Sequence, residues 1–431
     1  MANPRELALK SLIKYEENAV FSNLEINTTL TREGRDLNPM DKGLYTALFL
    51  GVIEKKMLLD HIIGQYSKIP LDEIDITELN ILRLGIYQLH LMDKIPEYSA
   101  TNECVSLARK RSKGFVNAVL RSFIREKMAY TLPDDKWERV SVLYSYPMEI
   151  IDILRSSYGD SVAYDLITKE KVAEELSLRV NTEKTSCEEI IKTLGCGAVS
   201  AYTNDIVKCN LPISEVLELI SKGLVFVQDE ASRICSAAVD AKPDLRVLDA
   251  CACPGGKTFS MALDMKNKGS VLACDLHESK LSLITKSAKN LGLDIIEVRA
   301  QNGKEYVSEM DSAFDRVLCD VPCSGLGIIL KKPDIKYKSY ESINNLPTVQ
   351  YDILSNCARY VRVGGILVYS TCTINKKENE ENVCRFLKEN ENFEPVDFEI
   401  GQAVSKNGMR TFLPHIDGTD GFFISKMKRV K

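Results

Sequence analysis

The sequence predicts a multidomain chain: an all-α domain over 1–128, a small α/β connector over 129–225, and an α/β domain with a mostly parallel sheet over 226–431. Three observations carry that reading. In the first third, apolar residues such as Leu7, Leu9, Leu12 and Ile13, or Ile81, Leu82, Leu84, Ile86 and Leu89, recur at the spacings of a helix face. From about 226 onward, short β-rich apolar runs alternate with helical stretches, the pattern of a parallel sheet covered by helices. Finally, Cys323 and Cys372 stand just past two of those runs, downstream of a glycine-rich loop at 249–258.

Composition bounds the rest. A length of 431 residues fits two or three domains, and 45% hydrophobic with 27% charged residues describes a globular chain. The net charge of -5 does not mark the whole chain as a nucleic-acid binder, although it can conceal a local basic patch. Thirteen cysteines, an odd number in so long a chain, do not make a disulfide scaffold, and a reducing cytoplasm is expected. Residues 1–14 contain Glu6 and lack the cationic-then-apolar order of a secretion signal. No run of 18 uncharged apolar residues occurs, so no membrane span is expected. The pairs Cys251/Cys253 and Cys319/Cys323 lack zinc-site spacing and there are only four histidines, so no metal is expected.

In chain order, a short helix over 41–51 takes Asp41 or Asn38 as its cap, and Pro70 and Pro96 interrupt the helices. Arg109, Lys110, Arg111 and Lys113 form a basic cluster leading into the next helix. It is either a solvated surface or a contact for phosphates. The connector opens with Pro133, Trp137 and Pro147, then reads as a strand at 176–181, a helix at 187–194 and a strand at 223–228. In the last domain, strands are expected at 246–250, 270–274, 294–298, 314–319 and 366–370, with helices at 279–291 and 349–361.

The loop after the first of those strands comprises Cys251, Ala252, Cys253, Pro254, Gly255, Gly256 and Lys257. Its glycines let backbone approach a ligand closely, and the first βα turn of such a sheet is where nucleotide-like cofactors bind. Asp275 ends the next strand, where a carboxylate can accept from ribose hydroxyls. A dinucleotide fingerprint is absent. A P-loop needs glycine where Cys251 stands. An adenosyl cofactor without phosphates, S-adenosylmethionine, suits this loop better.

Two thiols beyond strand ends beside such a cofactor suggest covalent catalysis, because a thiolate is a strong nucleophile. Spacing alone does not choose which thiol attacks.

Several segments resemble known families. Residues 81–89, Asn102 with Glu103, and 115–121 with Asn117 resemble the helical RNA-binding domain of the NusB antitermination factor. The 249–258 loop resembles motif I of the RNA cytosine-5 methyltransferases. Segment 330–336, with Lys331, Lys332 and Lys336, resembles the same family and implies contacts to RNA phosphates. Segment 414–424 resembles its terminal hairpin. One position departs: Asn302 stands where the family has an aspartate at the cofactor.

Together these features resemble the Sun (Fmu) family of 16S rRNA cytosine-C5 methyltransferases, with a NusB-like domain before a Rossmann-like methyltransferase domain. The resemblance makes Cys372 the nucleophile toward C6, Cys323 the aid to product release, and Asp320 the acidic group near N3 and a cofactor contact. Enamine-like activation by the thiolate answers the chemical problem that C5 of cytosine is too weak a nucleophile to take a methyl group directly. The expected partner is 16S rRNA or an early small-subunit assembly intermediate, met by a cytoplasmic monomer. The target base must leave its stack to reach the thiol. Two alternatives stay open: the same chemistry on tRNA or another RNA, and a non-catalytic RNA-binding assembly factor.

Overall fold

In the computed structural model, which describes residues 3–18, 22–169 and 175–431, the helical periodicity of the first third becomes a helical unit. Its helices are α1 (Pro4–Asn18), α2 (Ser22–Arg32), α3 (Pro39–Glu54), α4 (Lys56–Tyr66), α5 (Ile76–Leu91), α6 (Glu97–Leu107), α7 (Lys113–Arg125), α8 (Lys136–Tyr144) and α9 (Met148–Thr168). The α3 cap is Asn38, whose side chain accepts the Asp41 N–H at 2.8 Å. Pro96 stands immediately before α6. Helix α5 is buried nearly all round, as a central helix must be. Its one buried guanidinium, Arg83, is paired with both oxygens of Asp60 at 2.6 and 2.8 Å and with Glu16 at 2.8 Å.

The chain divides at places other than 128 and 225. One unit comprises Met1–Thr168 with Ile329–Tyr337, and the other Lys169–Ile328 with Lys338–Lys431. Helices α8 and α9 join the helical unit because their burial is long-range: the turn between them sends Ser145 Oγ to the Leu58 N–H of α4, at 3.1 Å. Residues 1–2 and 19–21 of the expected helical domain and 170–174 of the expected connector lie outside the described residues.

The second unit begins with a small antiparallel sheet in the order β2-β3-β1-β4, made of β1 (Leu176–Val180), β2 (Ala198–Val199), β3 (Ile206–Cys209) and β4 (Val225–Val227). It packs on α10 (Cys187–Leu194) and α11 (Ile213–Ser221) around Leu178, Val180, Ile190, Val207 and Val216. The sequence reading located β1 and β4. The two- and four-residue strands between them are too short to show periodicity.

The large sheet follows, through α12 (Glu230–Ala238), β5 (Arg246–Asp249), α13 (Gly256–Asp264), β6 (Ser270–Asp275), α14 (Glu278–Leu291), β7 (Ile296–Ala300), β8 (Phe314–Asp320), α15 (Tyr340–Tyr360), β9 (Val361–Thr371), α16 (Glu380–Glu389) and β10 (Phe393–Pro395). A two-strand ribbon of β11 (Glu399–Ile400) and β12 (Ala403–Val404) precedes β13 (Met409–Phe412), the short α17 (Pro414–Asp417) and β14 (Phe422–Arg429). The strand order is β10-β14-β9-β8-β5-β6-β7, parallel from β7 to β9 and antiparallel at β14, with β13 also on β14. Alternate residues face opposite sides: Val247 packs with α12, α13 and α14, while Leu248 packs with α15 and α16. Strand β7 starts two residues later than expected because Asp294 is still in the loop, its N–H donated to Asn267 Oδ1 at 2.9 Å.

This order reverses between β5 and β8, and ligands of such sheets sit beyond the carboxyl ends at the reversal. The glycine-rich loop leaves β5, the Cys323 turn leaves β8, and the Cys372 turn leaves the adjacent β9. Among the described residues, no helix is long and apolar enough to cross a membrane.

Candidate active site and cofactor cleft

Strand β5 ends at Asp249, buried, with Oδ2 accepting from the Thr258 hydroxyl at 2.7 Å. Its Oδ1 is buried without a protein partner. Burial pushes this carboxyl up to about 7. The loop then turns back on the sheet, with Ala252 N–H on Cys274 O at 2.8 Å and Gly255 N–H on Ala252 O at 2.7 Å. Gly255 has φ +110° and precedes α13, which no side chain caps; a Cβ there would meet the Phe259 ring at 2.4 Å. Helix α13 therefore presents its first N–H groups and its positive end beside the loop.

Lys257, in the first turn of α13, reaches Asp320 at the end of β8, Nζ to Oδ2 at 2.7 Å. Burial opposes a charge on Lys257, but the Asp320 carboxylate more than offsets it and raises the ammonium above its ordinary range. The other Asp320 oxygen accepts from Ser370 Oγ at 2.8 Å. Lys257 Nζ also lies 5.1 Å from the centre of the Phe422 ring. Asp275 accepts the N–H groups of Cys253 at 3.2 Å and His277 at 3.1 Å.

The two thiols meet: Cys323 Sγ and Cys372 Sγ are 3.0 Å apart. The hydrogen bond to Cys372, then burial, push the Cys323 thiol well up. Burial does the same to Cys251, and with Asp275 it raises Cys253 to about 11. The backbones of the two turns are joined directly, with Gly327 N–H on Cys372 O at 3.1 Å and Gly421 N–H on Gly327 O at 2.9 Å. Glycine is required at that crossing, since a Cβ on Gly327 would stand 1.9 Å from Gly421 O.

A cavity of about 260 Å³ opens here, its wall including Asp249, Lys257, Asp320 and Cys372. Cys251, Ala252, Cys253, Pro254 and Gly256 also line it, whereas Gly255, Asp275, Cys323 and Asn302 do not. Asn302 is turned to its own loop, donating to Glu305 at 2.8 Å and accepting the Lys304 N–H at 3.1 Å. Gln228, Asp229, Asp420 and Phe422 line the cavity and escaped the sequence reading. Gln228 and Asp229 lie between β4 and α12, Asp420 just before β14 and Phe422 at its start, and only the fold brings these distant segments together. Among the described residues, no group of three or more histidine, cysteine or acidic side chains is arranged to hold a metal ion.

The basic residues divide into three sets. Lys110, Arg111 and Lys113 are exposed on the helical unit, while Arg109 beside them is ion-paired with Asp75 and, at 3.2 Å, with Glu78. Lys331 and Lys332 are exposed. Lys336, expected to meet RNA phosphates, is instead buried in the helical unit. Its ammonium donates to the carbonyls of Glu54 at 3.0 Å and Tyr144 at 3.1 Å, where α3 and α8 end and leave acceptors unsatisfied. Buried and held on these two carbonyls, the ammonium is not presented to a phosphate at the surface.

Comparison with known proteins adds to this geometry. A family model described as 16S rRNA methyltransferase RsmB/F matches residues 236–428, and one described as NusB family matches 2–125. The chain is 34% identical to the Bacillus subtilis protein named probable ribosomal RNA small subunit methyltransferase B, over 99% of this chain and 98% of that one. It is 30% identical to the Synechocystis protein of the same name, over the whole of both. The crystal structure titled PH0851 has the same fold, with a TM-score of 0.83, 24% identity, and coverage of 100% of this chain and 99% of that one.

Proposed function

The chain belongs to the 16S rRNA methyltransferase RsmB/F family, and we propose that it methylates C5 of a cytosine in 16S rRNA through a covalent adduct between Cys372 and C6. It is an S-adenosylmethionine-dependent rRNA methyltransferase. The observation that carries the finer reading is the thiol pair: two sulfurs 3.0 Å apart, with Cys372 on the wall of the cavity that the glycine-rich loop encloses.

The residues present fit the cofactor. Asp249 Oδ1 is a buried acceptor in the cavity wall with no protein donor. The uncapped start of α13 offers donors beside it. Loop residues 251–257 with Asp249, Asp275 and Asp320 would hold the ligand. When bound, S-adenosylmethionine supplies an electrophilic methyl group.

The chain's own residues do the rest. Cys372 adds to C6 as a thiolate, which makes C5 the carbon that takes the methyl group. Asp320 holds the Lys257 ammonium at 2.7 Å, and the two together bring that cation and its proton to the negative charge that develops at N3. A base then removes the C5 proton, the C6–S bond breaks with its electron pair going to the Cys372 sulfur, and the ring is restored. Cys323, whose thiol keeps its proton to high pH, assists that departure. The exposed cations Lys110, Arg111, Lys113, Lys331 and Lys332 supply a salt-sensitive attraction for RNA. The helical unit, as a NusB-like domain, would carry part of the RNA contact, and a monomer acting on free rRNA or an early assembly intermediate suffices for this chemistry.

The test compares separately purified 16S rRNA and tRNA, each mapped for 5-methylcytosine after incubation with the enzyme and cofactor. Product in 16S rRNA is expected; product only in tRNA overturns the substrate. Cys372→Ala should abolish transfer. Cys323→Ala should accumulate a denaturation-resistant RNA–protein adduct. If Cys372→Ala trapped the adduct and Cys323→Ala did not, the two roles would be exchanged.

A further inference from the structure

The geometry around the thiols points to a residue that sets their register: we propose that Glu378 is a positioning residue that locks the Cys323 turn to the Cys372 turn. This inference rests on the two-thiol reading of the site given above.

Glu378 is fully buried in the turn before α16. Its Oε2 accepts the backbone N–H of Ser324 at 2.9 Å and the Gln350 amide at 2.8 Å. Its Oε1 accepts the Ser324 hydroxyl at 2.5 Å, the Asn375 amide at 3.0 Å and, more weakly, Thr373 Oγ1 at 3.4 Å. Three of these partners are N–H groups, which only donate, so both oxygens work as acceptors, the set an ionised carboxylate provides. A buried carboxylate unmatched by donors would be strongly destabilising, so four converging donors, three N–H groups and one hydroxyl of the Ser324–Thr373 pair, mark this as a built site.

The partners are the immediate neighbours of the reactive sulfurs. Ser324 follows Cys323 and Thr373 follows Cys372, and their hydroxyls are bonded to each other at 2.7 Å. Gln350 Nε2 also donates to Pro322 O at 3.0 Å, so it holds the residue before Cys323 to the same carboxylate. Asn379, next to Glu378, accepts from Thr371 Oγ1 at 2.6 Å and donates to Thr373 O at 2.9 Å, bracketing Cys372 on both sides. Lys338 closes the cluster, donating to Ser324 O at 2.8 Å. Each thiol is thus fixed through the residues flanking it, while Glu378 itself does not line the cavity. Its charge also adds to the effects that keep the proton on Cys323.

Glu378→Gln keeps size and shape but replaces an acceptor oxygen with a donor among donors. Methyl-transfer kcat should fall roughly 100-fold, the usual cost of a displacement near 1 Å at a reacting group. S-adenosylmethionine binding by calorimetry should be unchanged, and Glu378→Asp, which restores an acceptor-only group, should recover part of kcat. A second readout follows the thiols alone. Phenylarsine oxide bridges two adjacent thiols with loss of water and no change of oxidation state, and peptide mapping locates the bridge. Wild-type protein should bridge Cys323 to Cys372, and Glu378→Gln should not. A variant that melts lower yet keeps both kcat and the bridge overturns the proposal. Should Glu378→Gln fail to fold, Gln350→Leu removes one strand of the clamp and must still lower kcat and bridging; unchanged values overturn it equally. If wild-type enzyme made no 5-methylcytosine, the proposed reaction would fall while the arsenical arm still decided the role of Glu378.

Discussion

Lys257 in the α/β unit and Lys336 in the helical unit are both withdrawn from water, and their surroundings treat the charge in opposite ways. Lys257 has a carboxylate at 2.7 Å, and its ammonium is held above the ordinary lysine range. Lys336 has two helix-end carbonyls and the Tyr146 ring at 4.5 Å, and burial lowers it to about 7. Burial alone therefore does not decide whether a lysine stays charged; the partner does. At Lys257 the charge is kept where a reaction can use it. At Lys336 the side chain joins two helix ends, and carrying the charge costs stability.

The sharpest way to break that contrast is to remove each charge. Lys257→Met takes the cation from Asp320 and should lower methyl transfer by roughly 100-fold or more, the usual scale for one positioned electrostatic group. Lys336→Met should leave kcat near wild type. If initial-rate measurements gave the reverse pattern, the assignment of the two lysines would be wrong.

Stability against pH sharpens the contrast further. The unfolded Lys336 titrates near 10.5 and the folded one at about 7. Between those values the unfolded chain binds more protons, so stability rises with pH across this window, by on the order of 1 kcal/mol per pH unit from this residue. Below pH 7 the full penalty, on the order of 5 kcal/mol, applies. Urea unfolding of wild type and Lys336→Met at pH 7, 8 and 9 isolates the effect. The difference between them should favour the methionine variant most at pH 7 and shrink as pH rises. A constant difference would show that Lys336 titrates alike in both states.

The same pair explains how much could be read from the sequence. Lys257 was legible because its loop follows a strand, opens a helix and carries Gly255 and Gly256, all local signals. The thiols were legible as strand-end residues, and strand ends of a parallel sheet converge. Lys336 was misread because a surface lysine and a lysine capping two distant helix ends look the same in a run of lysines and proline. Its partners, Glu54 and Tyr144, are 282 and 192 residues away. Glu378 was missed for a similar reason. It stood in a string of Glu and Asn that reads as a solvated helix start, whereas α16 begins at Glu380 and the turn before it is buried. The boundaries at 128 and 225 followed local periodicity and proline punctuation, whereas α8 is placed by contacts such as that of Ser145 with Leu58 of α4.

The smallest expected effect separates two kinds of surface cation, and it completes the contrast between paired and unpaired charge. Arg109 already has carboxylates at Asp75 and Glu78, so an RNA phosphate would have to compete for it. Lys110, Arg111 and Lys113 make no ion pair among the described residues and are exposed. Each phosphate neutralised by such a cation releases condensed counterions and contributes about 0.7 to 0.9 to the slope of log affinity against log salt. The triple variant Lys110→Gln, Arg111→Gln, Lys113→Gln should therefore flatten that slope by about 2 to 3, measured by filter binding of 16S rRNA fragments over a salt series. Arg109→Gln alone should leave it nearly unchanged. If the triple variant kept the wild-type slope, these residues would be an ordinary solvated surface, and the exposed Lys331 and Lys332 would be the next cations to neutralise. A slope lost with Arg109→Gln alone would mean that RNA displaces Asp75 and Glu78, and that the ion pair seen in the protein alone is what binding breaks.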